Sequence, residues 1–136
     1  MRYGRGYKAR SRSKYGASKT VVNGQKFDSQ KEADRYLELK MLERAGIISN
    51  LKRQVHFQLT PVQREPDTIG PRGGVKKGKV ILDKSEYIAD FVYIDNETER
   101  LVVEDVKGYR GGEAYRTFKL KQKFLYQTRG ILIHET

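Results

Sequence analysis

The chain has 136 residues, and its 28 lysines and arginines against 17 aspartates and glutamates give a formal net charge of +11 at pH 7. An excess of positive charge this large predicts a polyanionic partner, and the phosphate backbone of a nucleic acid is the commonest one. Cysteine is absent, which excludes disulfides and thiolate metal sites. The sequence has no apolar run typical of a secretory signal or a membrane span, so we expect a soluble, cytoplasmic protein without a membrane partner.

Residues 1–19 predict a basic arm that lies outside the core. The first acidic residue of the chain is Asp28, and before it the basic residues alternate with glycine, serine and tyrosine. Since such a segment buries little apolar surface, we expect it to be disordered when free and to order on phosphate, the alternative being a merely solubilising tail. The DNA contacts predicted in this arm are Arg2, Arg5, Lys8, Arg10, Arg12 and Lys14.

Residues 20–136 predict a single α/β domain. An Asn23-Gly24 turn indicates a short hairpin, and the helix that follows can begin at a Ser29 cap and end at Gly46. Alternating apolar residues around Phe57 indicate a strand with one polar face. The remaining predicted elements are a strand over 86–94, an antiparallel neighbour over 101–107, a basic helix over 114–128 and a last strand over 131–133.

The segment 61–79, PVQREPDTIGPRGGVKKGK, is rich in proline, glycine and basic residues. It is too long for a plain turn, so it predicts a projecting loop or hairpin. We expect this excursion to contact DNA, through Arg72, Lys76 and Lys77.

The stretch LVVEDVKG, residues 101–108, places three charged groups in an apolar strand. Residues two apart share a face of a strand, so Asp105 and Lys107 point the same way and Glu104 points the other way. Counting back through the turn places Asp90 opposite or diagonal to Asp105. Two carboxylates this close repel each other, and they require a shared proton, a cationic partner or a metal ion.

A divalent cation resolves this conflict. Magnesium prefers oxygen ligands, typically one or two carboxylates plus water and substrate phosphate, whereas the lack of cysteine and the scarcity of histidine argue against zinc. A metal ion beside Lys107 suits phosphodiester hydrolysis, since the ammonium can orient the attacking water. The alternative is an ordinary surface ion pair of Asp105 and Lys107 on an edge strand.

Two stretches carry a resemblance to known nucleases. IAD…EDVKG resembles the PD-(D/E)XK motif, with Asp90, Asp105 and Lys107 at the positions of its acids and lysine, and Ala89 where proline is frequent. FDSQKEADRYLELKMLERAGIISNL, which begins at Phe27, resembles phage-encoded relatives of the RecU-type Holliday junction resolvases, and also the end-cleaving nuclease of some transposons. The resemblance implies a restriction-endonuclease-like αβββαβ core with a mixed central sheet flanked by helices.

The resemblance adds Glu32 to the catalytic and metal-binding residues predicted above, which are Asp90, Asp105 and Lys107. The alternative for Glu32 is a capping box, in which it would only bond the Ser29 amide. The carbonyl of Val106 is a further candidate metal ligand. Mn²⁺ is expected to substitute for Mg²⁺, and a homodimer is expected on a four-way junction.

The second predicted helix adds candidates for contact with the scissile phosphate. Nuclease relatives often place a lysine or glutamine of this helix beside the active site, although a solvated basic face would look the same. The candidates are Arg116, Lys119, Gln122 and Lys123.

The expected function is a Mg²⁺-dependent junction resolvase in DNA recombination and repair. The alternatives are a non-catalytic basic DNA- or RNA-binding module and a nicking or end-processing nuclease.

Overall fold

The computed structural model describes residues 19–136, so the DNA contacts predicted between Arg2 and Lys14 lie outside the described residues. Within the described range no helix is long and apolar enough to cross a membrane. The elements in chain order are β1 (Thr20–Val22), β2 (Gln25–Phe27), α1 (Gln30–Arg44), β3 (Ile48–Thr60), β4 (Gln63–Arg64), β5 (Thr68–Ile69), β6 (Val75–Lys76), β7 (Val80–Leu82), β8 (Ser85–Asp95), β9 (Arg100–Asp105), α2 (Glu113–Arg129) and β10 (Ile133–Glu135).

The central sheet has four strands in the order β10-β9-β8-β3. β8 pairs antiparallel with both β3 and β9, and β9 pairs parallel with β10. The predicted α/β fold with a mixed central sheet and two helices is therefore confirmed. β8 lies inside the sheet, as its apolar residues on both faces predicted.

A helix covers each face of this sheet and closes a separate apolar core. β9 shows the alternation directly, because Val103 packs on the α2 side while its neighbour Val102 packs on the α1 side. The buried α2-side residues are Phe57, Tyr87, Ala89, Val92, Val103, Phe118, Leu125 and Ile133. Those on the α1 side are Phe27, Ala33, Tyr36, Leu39, Ile48, Phe91 and Tyr93.

Two strands differ from their predicted bounds. β3 begins at Ile48, well before the alternating residues that predicted it, because it pairs with β8 along almost its whole length. The last strand begins at Ile133 instead of residue 131, since Gly130 still belongs to the end of α2, where its left-handed backbone donates to the Tyr126 carbonyl.

The connection from β3 to β8, residues 61–84, is named the finger below. It holds two nested antiparallel pairs, β4 with β7 and β5 with β6. Apart from Gly70 and Gly78, which are partly buried, every residue of the finger is exposed. The excursion predicted over 61–79 is therefore a hairpin built from short strands.

Candidate active site

The candidate site lies where β8 and β9 stop pairing. The last pair of their register is Phe91 with Glu104, so Asp90 and Asp105 occupy the next position, as counting through the turn predicted. Here a side chain replaces a backbone partner, because the Val106 amide donates to Asp90 Oδ2 at 2.8 Å. The two aspartates meet at the point where the sheet opens.

Asp105 is buried and is held through one of its oxygens. Its Oδ2 accepts the hydroxyl of Tyr87 at 2.9 Å and lies 3.2 Å from Lys107 Nζ. Both donors use the same oxygen, so neither of them holds Oδ1. Asp105 therefore has a fixed orientation, and it is also in hydrogen-bonding contact with Asp90.

The position of Asp90 disfavours the charged form of its carboxyl group. The pKa of Asp90 is raised from 3.8 to about 8, chiefly by burial and then by the hydrogen bond and negative charge of Asp105, while the Val106 amide opposes the rise. At neutral pH Asp90 therefore holds a proton, and a bound cation would take the place of that proton.

Lys107 is fixed by its backbone and by an aromatic ring. Its amide donates to the Thr136 carbonyl at 2.9 Å, and its own carbonyl accepts Lys31 Nζ at 2.6 Å. The ammonium lies 3.5 Å from the centre of the Phe118 ring, within cation–π range. Since both ends of the residue are held, its charge stays beside Asp105.

Glu32, at the start of α1, is buried but only half follows the predicted capping box. Ser29 Oγ accepts the Glu32 amide at 3.1 Å, as a cap should, whereas Glu32 Oε2 accepts the Asp28 amide at 3.2 Å instead of the Ser29 amide. Burial raises the pKa of Glu32, and the Asp28 amide partly offsets this. Its other oxygen, Oε1, turns towards β3.

The sequence did not single out Gln54, which connects Glu32 to the aspartates. Its Nε2 lies 3.3 Å from Glu32 Oε1 and 3.4 Å from Asp90 Oδ1. Its backbone is left-handed, with φ of +50° inside a strand, a conformation that costs a non-glycine residue about 1–3 kcal/mol. Gln54 falls on the polar side of the alternating pattern, so the sequence carried no signal for this role.

The donor set fits a magnesium ion held by two carboxylates. Among residues 19–136 no three His, Asp or Glu side chains are grouped so that they could hold a metal ion. Asp90 and Asp105 are in hydrogen-bonding contact, and one or two carboxylates completed by water and phosphate oxygens are the usual magnesium ligands. Glu32 reaches this pair through Gln54, and the metal-ligand roles of Glu32 and of the Val106 carbonyl stay predictions.

A family model described as "Protein of unknown function (DUF1064)" matches residues 12–134. The chain belongs to the DUF1064 family. Searches of curated proteins and of solved structures gave no match. The matched range contains the whole finger and every site residue described above.

In this DUF1064 protein a groove of about 330 Å³ opens beside Asp105 and Lys107. The α2 residues that line it are Ala114, Thr117, Phe118 and Lys121. Their spacing of three and four residues marks one face of the helix. Lys121 and Thr117 are thus the polar α2 side chains that the structure brings to the site, and charge spacing along the helix did not predict them.

The α2 residues predicted for phosphate contact lie away from this groove. Lys119 Nζ bonds Glu135 Oε2 at 2.7 Å, and Gln122 Nε2 donates to the Ile133 carbonyl at 3.2 Å, so both face β10. Arg116 and Lys123 are exposed. The rotation of α2 about its axis is set by the burial of Phe118 and Leu125 in the α2-side core, and charge spacing alone does not reveal it.

The finger residues predicted to contact DNA are accessible. Arg72 lies in the turn between β5 and β6, next to Gly73, whose φ is +80°. Lys76 lies on β6 opposite Thr68, and Lys77 follows it; all three basic side chains are exposed. Their contact with DNA stays a prediction.

Glu104, the third charged group of the stretch LVVEDVKG, belongs to the opposite face of the sheet. It is fully buried, and Arg35 of α1 donates two hydrogen bonds to it, from Nε to Oε1 at 2.5 Å and from Nη2 to Oε2 at 3.1 Å. The Tyr93 hydroxyl adds a third bond at 2.9 Å, and burial together with Glu104 raises the pKa of Tyr93 to about 12. Glu104 therefore joins α1 to the sheet.

Proposed function

We propose that this protein is a metal-dependent DNA endonuclease that hydrolyses phosphodiester bonds. The observation that carries the proposal is the pair of Asp90 and Asp105, in hydrogen-bonding contact beside Lys107 where β8 and β9 separate. A strongly perturbed carboxylate such as that of Asp90, close to an open groove, is typical of a catalytic site. The resemblance to PD-(D/E)XK nucleases with a restriction-endonuclease-like core assigns these same residues.

The side chains have distinct roles in this proposal. When Mg²⁺ or Mn²⁺ is bound by Asp90 and Asp105, it supplies a water of lowered pKa and offsets charge on the phosphoryl group. Tyr87 keeps Asp105 oriented by bonding Oδ2. Lys107, held against Phe118, donates to the attacking water or to the developing negative charge on the phosphate.

The substrate we propose is a four-way DNA junction. The similarity of residues 27–51 to RecU-type resolvases supports it, as does the exposed basic finger, which could contact DNA. A homodimer would present two sites to the two scissile strands of such a junction. The alternative substrate is a nicked or linear duplex, which a nicking or end-processing nuclease would cut.

Cleavage of a labelled four-way junction tests this proposal. The junction and one of its linear arms are incubated with Mg²⁺, Mn²⁺ or EDTA, and Asp90→Asn protein is run in parallel to exclude a contaminating nuclease. Paired symmetric cuts near the branch point, dependent on metal and absent from the variant, are expected. Equal cutting of the linear arm would keep the nuclease but remove the junction preference.

A non-catalytic basic DNA- or RNA-binding module is the second candidate, favoured by the net charge of +11. A protein that binds through charge alone would bind the junction in a salt-sensitive way and cut nothing in either metal. Its affinity would be unchanged or increased in Asp90→Asn and Asp105→Asn, since both variants remove negative charge from the surface that faces phosphate.

A further inference from the structure

We infer that Gln54 is a positioning residue of the site, which couples Glu32 on α1 to Asp90 on β8. The inference rests on the proposed metal-dependent function, because it concerns the geometry of the residues that would bind the ion. Gln54 carries no charge, so it cannot neutralise the carboxylates, and its contribution is to align them.

One amide group serves both carboxylates. The two hydrogens of Gln54 Nε2 can each point to one acceptor, Glu32 Oε1 at 3.3 Å and Asp90 Oδ1 at 3.4 Å. Asp90 is then held on both oxygens, since the Val106 amide occupies Oδ2. Without the amide, Asp90 Oδ1 would lose this partner and the carboxylate would be less firmly oriented.

The backbone of Gln54 explains how its side chain reaches this position. Consecutive side chains of a regular strand point to opposite faces. Here Arg53 and Gln54 are consecutive, yet both approach Glu32, with Arg53 Nη2 at 3.8 Å from Oε1. The backbone of Gln54 is left-handed. The departure from regular strand geometry therefore brings two successive side chains to one carboxylate.

Without Gln54, Glu32 would contact the start of α1 and Arg53 of β3. Its Oε2 already bonds the Asp28 amide at the start of the helix, and Gln54 is the uncharged partner that directs Oε1 towards Asp90. Glu32 therefore acts on the metal site through Gln54. The contribution of Glu32 to Mn²⁺ affinity should disappear when the carboxamide of Gln54 is removed.

Binding of Mn²⁺ in the absence of DNA tests this inference. Gln54→Met keeps the length of the side chain and removes its donor, and Gln58→Met is a matched control at an exposed glutamine of the same strand. Partners that orient metal ligands typically contribute about 10–100-fold to affinity. By titration calorimetry we expect the Kd for Mn²⁺ to rise about 10-fold in Gln54→Met and to stay unchanged in the control.

The double variant with Glu32→Gln separates coupling from independent effects. We expect Gln54→Met combined with Glu32→Gln to bind Mn²⁺ no more weakly than the weaker single variant, because both changes break one chain of contacts. Effects that multiply, or wild-type affinity in Gln54→Met, would overturn the coupling while leaving the nuclease proposal intact. Failure of the wild-type protein to bind Mn²⁺ would instead overturn both.

A folding defect in Gln54→Met would not end the test. Gln54→Gly also removes the carboxamide, and glycine suits the positive φ at this position. The same 10-fold loss of Mn²⁺ affinity, about that expected for a lost partner of a metal ligand, should appear in a folded Gln54→Gly protein. Unchanged affinity there would contradict the inference.

Discussion

The ionised form of Asp90, which would bind a metal ion, is disfavoured in the folded protein. The pKa of its carboxyl is about 8 in the folded protein against 3.8 as an isolated group. The folded state therefore binds more protons than the unfolded chain between these two values. It follows that the stabilisation present below about pH 4 is lost as pH rises towards 8.

The pH dependence of the melting temperature tests this effect of Asp90 on stability. In EDTA we expect the melting temperature of the wild-type protein to fall between pH 5 and pH 8, and the fall to be much smaller in Asp90→Asn, which cannot ionise. Mg²⁺ should raise the melting temperature at pH 8 in the wild type more than in the variant, since bound ligand stabilises the folded state. Circular dichroism melts measure both effects, and parallel slopes for the two proteins would contradict the assignment.

Lys107 should matter for the chemical step more than for binding. Lys107→Met keeps a long side chain against Phe118 but removes the charge, so we expect the cleavage rate to fall about 10²–10³-fold, as for other donors to a developing oxyanion. DNA affinity, measured by fluorescence anisotropy, should change much less. Lys52→Met, an exposed lysine of β3, is the matched control, and an equal loss of rate there would argue for a general charge effect.

At the scale of elements, the attachment of α1 to the sheet depends on a buried ion pair. Glu104 is fully buried, whereas the Arg35 side chain is 26% exposed, so removal of the arginine leaves a carboxylate that water cannot reach. Breaking a buried pair from one side is strongly destabilising, because the remaining charge has lost its partner. Tyr93 keeps one hydrogen bond to Glu104 and limits the damage.

Arg35→Met should therefore lower the free energy of unfolding by about 3 kcal/mol, the low end of the range for buried pairs. Urea denaturation followed by circular dichroism measures it. Arg44→Met, an exposed arginine of the same helix, should change the stability by less than about 0.5 kcal/mol. Equal effects of the two substitutions would show that Glu104 is not dependent on Arg35.

The finger should be dispensable for folding. β3 and β8 pair as far as Thr60 and Ser85, whose hydroxyl oxygens lie 2.7 Å apart. Replacing residues 62–83 with a short glycine-containing turn should therefore leave a folded protein with its metal-dependent nuclease activity. We expect the preference for four-way junctions over linear duplex to be lost. The ratio of the two cleavage rates measures this, and an unchanged ratio would place junction recognition elsewhere.

At the scale of the whole molecule, the net charge of +11 predicts strongly salt-dependent binding to DNA. Each phosphate that a protein neutralises contributes about 0.9 to the slope of log K against log salt. Replacing Arg72, Lys76 and Lys77 together by alanine should therefore reduce this slope by about 2–3 if each contacts one phosphate. Anisotropy titrations across a range of NaCl concentrations measure the slope.

A matched loss of charge elsewhere is the control for that titration. Lys26, Lys40 and Arg44 belong to β2 and α1, away from the finger in sequence. Their replacement by alanine removes the same net charge and should change the slope less than the finger variant does. If the two triple variants behaved alike, binding would depend on total charge and not on the finger.

Much of the fold followed from local signals. The Ser29 cap and the alternating residues of β3 predicted their elements because these signals act over a few neighbouring residues. Strand bounds were less accurate, as at Ile133, since a strand extends as far as its partner allows. The rotation of α2, which faces Lys121 to the groove and Lys119 to β10, depends on packing against the whole sheet.

The sequence by itself determined the order of elements, the net charge and the proximity of Asp90 to Asp105, because spacing along strands and turns is a short-range property. Only the tertiary structure decided that Glu104 pairs with Arg35, and that Gln54 stands between Glu32 and Asp90. These contacts join residues far apart in the chain. They depend on the packing of α1 against the sheet and on one left-handed residue, which no local pattern encodes.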